Sequence, residues 1–286
     1  MKNLSRTINL FWWIPVGVLV IMGLVFGTSF DLDIAKGLTA EGNFFSTFFT
    51  FGGSFPAFVL LGFVGPLFYM YFKEQSFKGA KIIAKIAFFG APVVAGAGYG
   101  IDILKDVMAT PIALVLGVVI VLGLTCLLYL PFKHGNPKQA LRDALVIGLT
   151  IGLSIVLGLL FKKIFVRPRP IAVLDDPSLY TPWFKVLGNK APAIDEDLID
   201  SFPSGHATLA STLLLLPLLA KYNPKTEKLT WVFFVSAAVW LLLTAFARMS
   251  GGRHFLSDVS TGALIGGGLA FIFNLVFKNP VKEENA

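Results

Sequence analysis

Long apolar stretches alternate with short polar ones along this chain, and the apolar stretches are of membrane-crossing length. A hydrocarbon core takes about 20 apolar residues per helix. Hydropathy draws eight such segments, roughly 8–28, 55–72, 82–101, 111–131, 144–162, 206–220, 230–248 and 257–277. The aromatic run Asn43 to Phe51 (N-F-F-S-T-F-F-T-F) is too short to cross and reads as an interfacial helix leading into the second span. Pro15, Pro56, Pro66, Pro92, Pro111 and Pro217 fall in or at the edges of the segments, as membrane helices tolerate. The pattern predicts an all-α, polytopic transmembrane bundle of about eight spans, a single integral membrane domain over 1–286.

Composition agrees with this picture. Hydrophobic residues make up 55% of the chain and charged ones only 14%, where a soluble domain carries about 25% charge. Mean hydropathy is +0.75. Lys2 and Arg6 ahead of an apolar run resemble a signal peptide, but Ile8 to Phe26 is long for one and G-T-S is a poor cleavage site. It reads as the first span. Cys126, the single cysteine, lies mid-segment and reads as a packing residue. The pairs Gly148/Gly152 and Gly262/Gly266 have the spacing that permits close helix contact. No internal repeat of useful strength supports an inverted-repeat transporter.

The net charge of +7 bears on topology rather than on nucleic acid, because basic residues cluster at the ends of apolar runs and nothing resembles a nucleic-acid-binding module. With a cytoplasmic N-terminus, the inner segments collect fourteen of the 24 Lys and Arg residues. Six of the ten outside fall in two short clusters, 162–169 and 248–253. Those clusters break the positive-inside rule and so call for a reason. The long loop 163–203 is placed outside, and its acidic residues Asp195, Glu196 and Asp197 read as a solvated face.

Chemistry gathers on that outer rim. The fifth span ends K-K-I-F-V-R-P-R-P, giving Lys162 and Arg169; the sixth begins after P-S-G-H, giving Ser204, Gly205 and His206. The seventh ends R-M-S-G-G-R-H-F-L-S-D, giving Arg248, His254 and Asp258. Three cations suit phosphate oxygens and a phosphoryl-transfer transition state. Ser204 and the amides near Gly205 open a helix, where N–H groups point at an anion. His254 and Asp258, four apart, would share a helix face, so that Asp258 accepts from one imidazole nitrogen and leaves the other to attack. His206 supplies a second imidazole for proton transfer. Singly, each has an ordinary reading as an interfacial anchor, an N-cap or a surface hydrogen bond. Jointly, in three segments on one face, they form a phosphate-handling constellation.

The order K-x6-R-P, P-S-G-H, R-x5-H-x3-D resembles the three-part signature of the phosphatidic acid phosphatase type 2 superfamily, membrane relatives of the soluble acid phosphatases and vanadium haloperoxidases. The match runs from Lys162 to Asp258. The resemblance implies His254 as nucleophile forming a phosphohistidine, Asp258 as its orienting partner and His206 as acid and then base. It implies phosphate binding by Lys162, Arg169, Ser204, Gly205 and Arg248, with no metal and no cofactor. Ala247 stands where the family usually has Ser, which puts that hydrogen bond in doubt. Many bacterial members have six spans; here four rather than two precede the first motif, so 1–142 is expected to be scaffold and 143–278 the catalytic core.

The expected activity is hydrolysis of a lipid phosphomonoester or diphosphate at the extracytoplasmic face of the cell membrane, with both termini cytoplasmic. Isoprenoid diphosphate, phosphatidylglycerol phosphate, phosphatidic acid and lipid A phosphates all fit as substrates held in the lipid bilayer. A lipid phosphotransferase would use the same residues with a different acceptor. A non-enzymatic channel or lipid carrier would make the three-part motif a coincidence.

Overall fold

The computed structural model describes residues 8–40, 42–187 and 195–277. Thirteen α-helices are joined by turns and short 3-10 segments, with no strand among the described residues: α1 (Trp13–Leu38), α2 (Phe44–Gly52), α3 (Phe55–Gly62), α4 (Val64–Phe72), α5 (Ala80–Asp102), α6 (Thr110–Tyr129), α7 (Pro137–Phe165), α8 (Pro170–Asp175), α9 (Gly205–Thr212), α10 (Leu216–Ala220), α11 (Pro224–Glu227), α12 (Thr230–Ser250) and α13 (Leu256–Val276). Among the described residues, seven stretches are long and apolar enough to cross a membrane. The expected polytopic bundle is thus present, with one difference. The segment drawn at 206–220 is the shorter apolar stretch Gly205–Ala220, broken by a 3-10 turn at Leu213–Leu215.

That short segment is the centre of the bundle. Ala207, Ala210, Leu214, Leu215, Leu218 and Ala220 are fully buried, so α9 and α10 meet protein on every side, and α7, α12 and α13 surround them. Its hydroxyls are satisfied locally: Thr208 and Ser211 donate to the carbonyls of Ser204 and Thr208 at 2.9 and 2.8 Å. By contrast Ile14, Val18 and Val25 of α1, Ile82, Ile86 and Val94 of α5, and Ile112, Val115 and Val119 of α6 face outward. An apolar belt of that extent is the surface a bilayer covers.

Small residues set how closely the helices approach. A Cβ on Gly266 would lie 2.1 Å from the Thr208 carbonyl oxygen, and one on Gly262 2.5 Å from that of Ser204, so α13 lies backbone to backbone against α9. The Gly262/Gly266 reading holds. For Gly148/Gly152 it does not: a Cβ there would meet only Val64 side-chain atoms at 3.7 Å or nothing at all. A close contact in the N-terminal half is that between Gly96 and Gly117, where a Cβ on either would lie 2.6 or 2.3 Å from the other's carbonyl oxygen, and it joins α5 to α6. Helices α3 to α6 form a sub-bundle that leans on α7 through α4. Helices α1 and α2 do not belong to it; they pack on α13 and α12.

Both ends of α7 are fixed locally, and its second end positions the site. Asn136 caps α7 by accepting from Gln139 N at 3.1 Å, with Pro137 at the first turn. The other end stops at Val166, whose φ of 47° is left-handed, before the two X-Pro steps of R-P-R-P. A residue preceding proline is pushed out of helical conformation, so Lys162 is left in the last turn with Arg167 and Arg169 just beyond it.

Candidate active site

The three predicted segments meet at one end of the bundle. Arg248 lies in the last turn of α12, and the chain then turns through Gly251 and Gly252 to His254. Gly252 has φ +65°, and a Cβ there would sit 2.8 Å from Thr39, so only glycine fits the turn. The Arg248 carbonyl accepts from both Arg253 N (3.1 Å) and His254 N (3.2 Å), fixing the turn. Ser204 caps α9 through a long 3.5 Å bond from Ala207 N, and its own amide donates to the Asp258 carbonyl at 3.1 Å. Nothing lies within 4 Å of where a Gly205 Cβ would project, which leaves open space over the first turn of α9. Lys162 Nζ is 3.8 Å from Asp200 Oδ2. Arg169 is buried, with its amide on the Leu198 carbonyl at 2.7 Å. The positive charges of Lys162, Arg169 and Arg248 all act on both imidazoles.

Both histidines have assigned tautomers, because each donates to a group that can only accept. His254 Nδ1 lies 2.6 Å from the Ser201 carbonyl oxygen; a carbonyl has no proton to give, so Nδ1 carries the hydrogen and Nε2 the lone pair. Burial first, then the charges of Arg248, Arg169 and Lys162, push the His254 pKa well below the ordinary histidine value, so the ring is neutral. His206 Nε2 lies 2.9 Å from the Thr50 carbonyl oxygen, so Nδ1 is the nitrogen left for proton transfer.

The expected hydrogen bond from His254 to Asp258 is not made. Asp258 Oδ2 is 3.9 Å from His254 Nδ1, because His254 lies in the turn before α13 and Phe255 is the N-cap. The shared-face argument needs both residues inside one helix, and only Asp258 is. Its carboxylate is instead drawn to Phe255 N (2.8 Å), half of a capping box, to Ser201 Oγ (2.6 Å) and to Arg167 Nη1 (2.5 Å). Ser201 therefore bridges the two: its hydroxyl holds Asp258 and its carbonyl holds the imidazole.

Several residues at this end carry no sequence pattern. Arg167, 1% exposed, donates to Asp258, to Asp31 Oδ2 of α1 at 2.9 Å, to Ser257 Oγ at 2.8 Å and to the Thr181 carbonyl at 2.8 Å. It also stacks over the Phe255 ring at 4.2 Å. Asp31 completes the cluster by accepting from Ser257 N at 3.0 Å and from the Ser257 hydroxyl. Both arginines in R-P-R-P are buried, and the first is the one whose guanidinium is paired with two carboxylates. From α2, the Thr50 hydroxyl accepts from Arg248 Nη1 at 2.7 Å. Beside it opens a cavity of about 270 Å³ lined by Ser46, Thr47, Thr50, Gly251 and Arg253, among others. A larger cavity of about 320 Å³ lies elsewhere, around His134, Gln139, Lys221, Tyr222 and Glu227. The paired imidazoles and their three cations are not part of it, so volume does not locate the chemistry here. Side chains of Glu196 and Asp197 and residues 188–194 lie outside what the structure describes.

Residues 143–282 match the PAP2 superfamily model. The chain is also 27% identical over 218 residues, 66% of its own length and 83% of the relative's, to phosphatidylglycerophosphatase B of Haemophilus influenzae. No solved structure matches it.

Proposed function

We propose that the chain, whose residues 143–282 match the PAP2 superfamily model, is a membrane lipid phosphatase working through a phosphohistidine. The observation that carries the reading is the His254 ring: its Nδ1–H is fixed on the Ser201 carbonyl, which leaves the Nε2 lone pair for attack, and burial with the charges of Arg248, Arg169 and Lys162 keeps it neutral. Nε2 attacks phosphorus, and the bond from phosphorus to the lipid oxygen breaks. His206, protonated once the bound phosphate's negative charge offsets Lys162, Arg169 and Arg248, gives its Nδ1 proton to the departing oxygen while Nε2–H stays on Thr50. The neutral Nδ1 then takes a proton from the water that attacks the phosphohistidine, which releases phosphate and restores both rings. Lys162, Arg169, Arg248, Ser204 and the amides over Gly205 hold the phosphate oxygens and the charge that builds on them, a role that calls for no metal. Asp258 positions His254 through Ser201.

The motif segments belong to the extracytoplasmic face in this reading, since that placement leaves the remaining Lys and Arg residues mostly inside. The membrane is the cell membrane, with both termini cytoplasmic, and α3 to α6 serve as scaffold. The relative's name supports phosphatidylglycerol phosphate as the first substrate to try. The test is phosphate release from phosphatidylglycerol phosphate, phosphatidic acid and an isoprenoid diphosphate, by wild type and His254→Ala. Release by wild type from at least one lipid, reduced to background in the variant, is expected. Equal release by a folded His254→Ala would remove the nucleophile from the account.

A further inference from the structure

We propose that Thr50, on the α2 helix outside the matched family segment, is a positioning residue of the active site that aims Arg248 and fixes the tautomer of His206. The proposal rests on the phosphatase reading for its catalytic consequence, and on geometry alone for its binding one.

One residue grips two others through different atoms. The Thr50 carbonyl accepts from His206 Nε2 at 2.9 Å, and its hydroxyl accepts from Arg248 Nη1 at 2.7 Å. A hydroxyl has one proton, and that proton is spent on the Ser46 carbonyl at 3.0 Å. The lone pairs therefore face the guanidinium, which can only donate. The chain from Arg248 to Thr50 to Ser46 therefore has one donor direction.

Helix α2 is itself tied to the turn that carries the motif. Asn43 caps it by accepting from Ser46 N at 2.7 Å, and donates to the Ser250 carbonyl at 3.3 Å. Ala40 N donates to the same carbonyl at 2.8 Å. Gly251 lies so close that a Cβ would fall 2.0 Å from Ser46 Oγ. Thr50 is thus held to the frame of Arg248 and His254, while Phe44 (83% exposed) and Phe48 (50%) point away from the site. A planar fork recognises phosphate only when its orientation is set, and a Thr50 hydroxyl on one nitrogen sets it.

Thr50→Val keeps the shape and loses the hydroxyl, and Thr50→Ser restores it. For Thr50→Val, kcat/KM should fall about 10- to 100-fold, as expected for losing a hydrogen bond to a charged group. The affinity for inorganic phosphate, read as the concentration dependence of thermal stabilisation, should fall about tenfold. Thr50→Ser should recover most of both, and activities are compared per folded molecule. Thr50→Ala is read in the same way should the valine variant not fold. Unchanged phosphate affinity and unchanged kcat/KM in folded Thr50→Val would overturn the proposal. So would a loss that Thr50→Ser does not recover. If wild type releases no phosphate from any lipid, the phosphatase reading fails by itself, and the phosphate affinities of the variants still decide the role of Thr50.

Discussion

Helix α7 is tied to α13 near its start by buried Arg142 and just beyond its last turn by buried Arg167, and the arginines of these two clamps are paired with carboxylates in different ways. At one end Arg142 meets a single carboxylate, Asp143, at 2.7 Å. Its other nitrogens go to the carbonyls of Phe277 and Asn274 and the Asn274 side chain, at 2.8 to 3.0 Å. Asp143 also accepts from Gln139 and from the Tyr222 hydroxyl, each at 2.8 Å. Charge is matched one to one. At the other end Arg167 lies between two carboxylates, Asp31 and Asp258. Beyond them stand three more cations and the two histidines. Burying an ion pair is costly in any protein and more so in a membrane, yet both clamps exist. The difference shows that a buried charge marks structure when its bonds close on themselves. The Arg167 cluster instead holds a titratable ring through Ser201, which in the proposed reading ties it to the chemistry.

Arg167→Met should do the most damage. It leaves two buried carboxylates facing one another, a loss of about 3–5 kcal/mol, and should abolish phosphate release. Arg142→Met at the other clamp should cost a similar amount of stability. The fraction that remains folded should nevertheless turn over at near wild-type kcat, checked by thermal denaturation in detergent beside activity per folded molecule. A fall in kcat as large as that of Arg167→Met would erase the distinction between the clamps.

A smaller and cleaner version removes one hydroxyl from each. Ser201→Ala and Tyr222→Phe each take one hydrogen bond from a buried aspartate, and each should lower stability by about 1.5–3 kcal/mol. Only Ser201→Ala should lower kcat, since only there is the aspartate linked to the ring proposed as nucleophile. The smallest effect concerns protons. The pKa of His254 is depressed in the folded protein and ordinary in the unfolded one, so its contribution is complete above pH about 6.5 and is lost as pH falls below it. The slope is at most about 1.4 kcal/mol per pH unit. His254→Asn should flatten the acid side of the plot of melting temperature against pH relative to wild type.

Much of this was legible in the residues themselves. The apolar segments announce the bundle, and Lys162, Ser204, Arg248 and both site histidines come to one end as their place at span ends implies. What was not legible is of two kinds. Contacts such as Asp31 with Arg167, 136 residues apart, or Thr50 with Arg248, 198 apart, depend on how α1 and α2 dock, and a threonine in an aromatic run carries no periodicity. Register at a helix start is the other kind: one turn decides whether His254 and Asp258 share a face, and that turn lies before the N-cap. Nor could R-P-R-P by itself tell which arginine pairs with two carboxylates.

The central claim is that His254 carries the phosphoryl group. Wild type mixed with phosphate-labelled lipid substrate, quenched rapidly in alkali to preserve phosphohistidine, and read by peptide mass should show the label on the peptide containing His254. The label should be absent from His254→Ala. Label on His206, or phosphate release with no labelled peptide at any quench time, would contradict the account.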